Sequence, residues 1–209
     1  MALYTNLTKA LQNPSDVTHL SLRIDYGKAA PEQLLACKNL EVLELSGNNY
    51  EIPIAFGAFK KLKKVVFRGR YARFPEFIFK LNQLKYLSFE GYGMTNFPDK
   101  FHQLLQLESL KISTNFVSNP YLKFPESIFN LSNLKHLYLY TDMRKLYPKI
   151  GQLQQLENLE LCYTNSHLEA MEKICTLKNL HTLTLSNYGY NGQALHLPDS
   201  IGNLGMKQK

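Results

Sequence analysis

No run of apolar residues in this chain of 209 approaches the roughly 20 that a membrane-spanning helix requires. The opening MALYTNLTKALQNPSD also lacks the unbroken apolar stretch of a signal peptide. Both absences point to a cytoplasmic protein without membrane contact; an export signal ahead of residue 1 would make it secreted instead. Cysteine is scarce as well. Cys37, Cys162 and Cys175 are odd in number, and their spacings of 125 and 13 fit neither a disulfide framework nor a zinc site, so all three read as reduced thiols.

Catalytic signatures are missing too. There is no GxGxxG after a strand-like run, no phosphate-binding GxxxxGK[ST] loop and no GxSxG nucleophile elbow. The histidines at 19, 102, 136, 167, 181 and 196 lack the HExxH spacing of a zinc site. The chain therefore reads as non-enzymatic, with no cofactor and no metal.

What is present is an ordinary soluble composition, 44% hydrophobic and 20% charged, with a formal net charge of +7. That excess sits in one place. The segment Lys60 to Arg73, KKLKKVVFRGRYAR, holds seven basic residues and no acid, and the remaining 17 basic and 17 acidic residues cancel.

A pattern apolar-x-x-apolar-x-apolar starts at Val17, Leu40, Leu62, Leu84, Leu107, Leu134, Leu156 and Leu180, in steps of 23, 22, 22, 23, 27, 22 and 24. Members such as LEVLELSGN and LENLELCYT alternate every second residue, which predicts a short strand with one buried face in each repeat. Between the strands, FPEFIFKLNQL, FPDKFHQLLQL, FPESIFNLSNL and LPDSIGNL carry apolar residues every three positions, a spacing that suits 3₁₀ or short helical turns with proline in the first turn. One repeat cannot bury its own apolar side chains. Stacked neighbours can, which predicts about eight parallel strands lining a concave sheet with the turns on the convex back.

The sequence resembles the leucine-rich repeats of roughly 23 residues with consensus LPxxIxxLxxLxxLxLxxN, over nearly its entire length. The opening YTNLTKALQNPSDVTHLSL looks like the N-terminal cap of bacterial members, in which a short helix, here about Asn6 to Gln12, ends at Asn-Pro. The resemblance implies an α/β, right-handed horseshoe solenoid and a protein-binding role, but no particular ligand. As one domain over 1–209, it would comprise a helical cap over 1–16, about eight repeats over 17–196 and an incomplete ninth over 197–209. The consensus asparagine survives at Asn48 and Asn115 and is replaced by Asp25, Arg70, Tyr92, Asp142, Thr164 and Tyr188. In repeat five VSNPYLK should bulge at the rim. Leu197, Ile201 and Leu204 lack a polar cap, so that end reads as frayed, truncated, or paired with another chain by self-association.

Strand alternation assigns the concave side chains. Repeats one and two offer His19, Ser21 and Arg23, then Val42, Glu44 and Ser46; repeats three and four offer Lys64, Val66 and Arg68, then Tyr86, Ser88 and Glu90. Repeats five to eight offer Ser109, Lys111 and Ser113, then His136, Tyr138 and Tyr140, then Asn158, Glu160 and Cys162, then Thr182, Thr184 and Ser186. Cys162 is thus expected to be accessible, while Cys37 and Cys175 lie at or beside apolar positions. Gly47, Gly69 and Gly91 share one place after the strand, where a sharp turn with positive φ favours glycine. Exposed tyrosine and arginine dominate protein-binding hot spots. The expected partner site is therefore Lys64, Arg68, Tyr86, Lys111, His136, Tyr138, Tyr140 and Tyr163, facing an unidentified protein with an acidic patch. Binding of polyanions or nucleic acid through Lys60 to Arg73 is the alternative; the narrowness of that segment argues against a duplex.

Overall fold

The computed structural model describes residues 3–70, 74–93, 97–115, 124–143, 147–163, 168–187 and 197–204, without the side chains of 114, 115, 141–143, 163, 168, 187 and 203. The rim segment 117–123 and the side chain of Asn115 lie outside the described residues.

Nine strands form one parallel sheet whose spatial order is the chain order. They are β1 (Leu3–Tyr4), β2 (His19–Ile24), β3 (Val42–Asn48), β4 (Lys64–Arg70), β5 (Tyr86–Tyr92), β6 (Ser109–Asn115), β7 (His136–Met143), β8 (Asn158–Tyr163) and β9 (Thr182–Asn187). Strands β2 to β9 are the eight that the repeat pattern predicts. The two-residue β1, which carries no LxxLxL, adds a ninth by pairing Leu3 with His19.

The repeat step converts directly into register. Leu20, Leu43, Val65, Leu87, Leu110, Leu137, Leu159 and Leu183 form one row, each beside the next. All but the last are fully buried. Leu183 and Leu185, on the final strand, are partly buried against the core. In the centre phenylalanine replaces leucine: Phe67 stacks on Phe89 at 5.2 Å, and Phe74 touches Phe79, Phe89, Phe97 and Phe101 at 4.9 to 5.7 Å. Such ring pairs add about 0.5–1.5 kcal/mol beyond the area they bury.

The convex side is built from short 3₁₀ turns, among them Glu32–Ala36, Ile54–Ala58, Glu76–Lys80 and Glu126–Asn130. Proline immediately precedes each of these, at 31, 53, 75 and 125, and its carbonyl accepts the first turn hydrogen bond. Two α-helices depart from this scheme. α1 (Leu7–Gln12) is capped by the Asn6 side chain, which accepts from the Lys9 N–H, and it buries Ala10 in the core. α2 (Leu168–Ile174) falls where the sequence has no proline and reads LEAMEKI, a run of good helix formers that buries Ala170, Met171 and Ile174.

Two features tie neighbouring repeats together. Asn48 does what a consensus asparagine would: its Oδ1 accepts from the Arg70 N–H at 3.1 Å. A second set of amides, just before the first leucine of the repeat, donates to backbone carbonyls one repeat earlier: Asn39 to Ser15, Gln83 to Phe59, Asn133 to Leu105 and Asn179 to Gln154, at 2.7–3.2 Å.

The glycine expectation needs correcting. Gly47, Gly69 and Gly91 are in register within strands, and Gly91 has no positive φ. What they share is close approach. A Cβ would stand 2.3 Å from the Ile24 carbonyl oxygen at Gly47, 1.8 Å from that of Gly47 at Gly69, and 1.7 Å from that of Gly69 at Gly91.

Candidate functional site

The concave face is where strand side chains leave the core, and its geometry follows from register. Glu44 on β3 lies directly opposite Val66, between Lys64 and Arg68 on β4. Both cations reach it diagonally, Lys64 at 3.5 Å and Arg68 at 2.9 Å. Arg68 also faces Glu90 at 3.9 Å, and Glu90 receives Lys111 from β6 at 3.4 Å. A zigzag of alternating charge thus crosses β3 to β6. Burial pushes the Glu44 carboxyl up, but hydrogen bonding and attraction from Arg68 and Lys64 outweigh it and hold the group below its ordinary value. These pairs are half-exposed, so each stabilises the fold by only about 0–1 kcal/mol. Their larger effect is to offset part of the charge of the segment that looks basic in sequence, at Lys64 and Arg68. Lys63 pairs with Glu41 as well, at 3.2 Å, and Lys61 donates to Asn39. Arg73 is outside the described residues.

The pairing also removes small residues from the expected groove surface. Val66 is 1% exposed, Ser88 0% and Ser109 7%, although all three point to the concave side. Val66 lies between the stems of Lys64 and Arg68. Ser88 donates to Glu90 at 3.0 Å. Ser109 sits between Tyr86 and His136 in the same row.

The tyrosines are brought together. Tyr86 on β5 lies half-buried with the Lys64 ammonium 5.0 Å from its ring centroid. Two strands away on β7, burial first, then the Glu160 carboxylate and the Tyr86 phenol, push the Tyr138 phenol up. Tyr86 and Tyr138 therefore sense each other across β6, whose own groove residues are Ser109, Lys111 and Ser113. Tyr140 donates a short hydrogen bond to Glu160 on β8. That bond, with burial and the negative charge of Glu160, pushes its phenol from 10.0 up to about 12.

His136, expected in the site, is half-buried and hydrogen-bonded to Asn158 at 2.7 Å. Tyr163 ends β8 opposite Asn187, with its side chain outside the described residues. Cys162 is a correction: it faces the concave side but is 2% exposed, because the short thiol lies beside Tyr140, whose longer side chain crosses to Glu160 on the same strand. Glu44, Glu90 and Glu160 were absent from the sequence-derived site. The signal existed, since each carboxylate falls one repeat from a lysine, arginine or tyrosine in the same or the adjoining row. Among the described residues, no group of three or more His, Cys, Asp and Glu could hold a metal ion, and no helix is long and apolar enough to cross a membrane.

Residues 75–208 match the family described as Leucine-rich repeat region. The chain belongs to the leucine-rich-repeat family. No curated protein matches it in sequence. Solved leucine-rich-repeat structures share its fold at low identity. An internalin from Listeria monocytogenes is 18% identical with a TM-score of 0.59, covering 98% of this chain and 72% of its own. Internalin C2 from the same bacterium is 15% identical with a TM-score of 0.63, covering 90% and 84%. A plant peptide hormone receptor, RGFR1 in complex with RGF2, is 16% identical with a TM-score of 0.58, covering 98% of this chain and 41% of the receptor. As a leucine-rich-repeat protein, the chain has the architecture of a protein-interaction scaffold.

Proposed function

We propose that this leucine-rich-repeat protein is a non-enzymatic binding module that holds a protein partner on its concave face, centred on repeats four to seven. The observation that carries the reading is that Tyr86, Tyr138 and Tyr140 all stand half-buried on the concave side, with only the single strand β6 between Tyr86 on β5 and the pair on β7. None of these rings is part of the buried core. Tyrosine buries a large area with few rotors and keeps a hydroxyl to hydrogen-bond, which makes such a patch suited to a protein ligand. Lys64, Arg68 and Lys111 border it, already turned toward glutamates, and act as a polar rim. The peptide hormone receptor among the structural neighbours is consistent with a peptide or protein ligand.

The alternative, polyanion binding through Lys60 to Arg73, receives less support, because Lys63, Lys64 and Arg68 are paired with Glu41, Glu44 and Glu90. A salt titration separates the two, since polyanion affinity falls steeply with salt.

The test of the concave reading is a crosslinking pull-down from the native source with the Tyr138→Ala, Tyr140→Ala double variant. Loss of two hot-spot rings at about 2 kcal/mol each lowers capture of the partner by well over tenfold. Recovery of the same partners at unchanged strength would remove the concave patch as the site.

A further inference from the structure

The carboxylates of the concave face are unequally matched. Glu44 meets two cations and so does Glu90. Glu160 is different: among the described residues no lysine, arginine or histidine lies within 4.0 Å of it, and its hydrogen-bond partner is the Tyr140 hydroxyl. An ionised carboxylate offers about four acceptor positions, so one hydroxyl leaves most of its capacity open.

Its surroundings suit a cation. Tyr138 is directly opposite on β7, and Thr184 is directly opposite on β9, exposed and uncharged. Phenol rings attract cations through the negative face of the π-system, and an adjoining carboxylate supplies the countercharge. The chain uses this chemistry on itself nearby, where the Lys64 ammonium sits against the Tyr86 ring. The cation closest in register to Tyr138 is Lys111, and its ammonium is turned the other way, to Glu90 on β5. His136, on the same strand, is engaged with Asn158.

We propose that Glu160, with the rings of Tyr138 and Tyr140, receives a lysine or arginine side chain of the protein partner. The inference rests on the concave-face reading and deepens it by naming what the repeat-six and repeat-seven end of that face recognises. It also turns the charge argument round. Lys63, Lys64 and Arg68 of the basic segment are matched by glutamates on neighbouring repeats, whereas at the Glu160 end of the face the charge left for a partner to satisfy is negative. Because the chain carries +7 overall, the segment recognised is a single basic residue in a mostly uncharged stretch, within the roughly 8 Å over which salt does not screen the contact.

The experiment titrates the full chain with N-acetyl-arginine amide, N-acetyl-lysine amide and N-acetyl-glutamine amide at fixed ionic strength and follows the Tyr138 and Tyr140 ring resonances by NMR. The two cationic compounds shift these resonances saturably and the glutamine compound does not. Glu160→Gln, which keeps an acceptor for the Tyr140 hydroxyl, weakens the arginine compound by about five- to tenfold. Equal responses to all three compounds, or unchanged affinity in Glu160→Gln, overturn the proposal. Should Glu160→Gln lose its fold, Tyr138→Leu takes its place, and undiminished arginine binding there is equally fatal. In partner capture, loss in the tyrosine double variant with full strength in Glu160→Gln rejects the cation site and leaves the concave reading intact. Unchanged capture in both variants rejects the concave reading and, with it, the assignment of Glu160 to the partner's basic residue, even where the arginine compound still binds.

Discussion

An alanine at Gly69 would place a methyl group 1.8 Å from the Gly47 carbonyl oxygen, on backbone at φ +121°. Neither strand can move without breaking the ladder, so Gly69→Ala is expected to destabilise the protein by more than about 3 kcal/mol in chemical denaturation. Gly27 is the control: it also has positive φ, but nothing lies within 4 Å of its would-be Cβ, so Gly27→Ala should cost only about 1 kcal/mol. A second prediction concerns Tyr140. Its phenol is raised to about 12 in the folded state, so the stability it contributes is complete below its ordinary value of 10.0 and disappears as the pH rises through 12. Tyr140→Phe should abolish that part of the alkaline stability loss, measured as melting temperature against pH. If the variant and the parent lose stability in parallel between pH 10 and 12, the Tyr140–Glu160 bond does not act as described.

At the scale of the element, each convex turn is joined to the next by polar contacts as well as by packing. Ser127 is 5% exposed; its hydroxyl accepts from the Phe101 N–H at 2.9 Å and its own N–H donates to Asp99 at 2.7 Å. The Ser127 hydroxyl and N–H together hold the Asp99 carboxyl below its ordinary range, against the opposing effect of burial. Ser127→Ala leaves the Phe101 N–H without its acceptor and should lower stability by about 1–2 kcal/mol. The Asp99 part of that stability is present above pH 3.8 and fades as pH falls, so the gap between variant and parent narrows in acid. Asn133→Leu tests the amide set in the same way, with an expected loss of about 1 kcal/mol at neutral pH. These contacts were hard to read beforehand for a physical reason. A leucine row announces itself by periodicity, because burial needs an apolar side chain in every repeat. An amide precedes the first leucine in most repeats, at Asn39, Gln83, Gln106, Asn133, Gln155 and Asn179, but a polar residue at a surface position does not by itself say that it bonds the preceding repeat's backbone, so the period was visible and its role was not. The glycines show the same: their shared position was visible in sequence, but the hazard to be avoided was a neighbouring carbonyl, which becomes evident only when strands are placed side by side.

For the molecule as a whole, the strands, their inward faces, the N-terminal helix and the convex turns were legible because each follows from side-chain period and local propensity. The concave chemistry was legible only in part. Lys64, Arg68, Tyr86, Tyr138 and Tyr140 could be assigned to the face, but the contacts of Glu44, Glu90 and Glu160 depend on side chains one repeat away, so the carboxylate left without a cation, Glu160, was not singled out. Stability should also be graded along the solenoid. Phenylalanine rings crowd repeats three to five, whereas Leu183 and Leu185 on β9 are only partly buried. Hydrogen exchange is expected to be slowest in β4 to β6 and fastest in β9, since repeat stability is a sum of local and neighbour contributions. Uniform protection across the strands would contradict that gradient.

The strand order from β1 to β9, in which each strand pairs only with its neighbours in the chain, bears on how the chain reaches this state. Parallel sheets are ordinarily slow to assemble because distant segments must meet before any contact rewards them. Here every pairing closes a loop about one repeat long, so a strand can dock as soon as its predecessor is in place. Assembly can thus keep pace with synthesis, the N-terminal helix and first repeats forming a template while later ones are still being made.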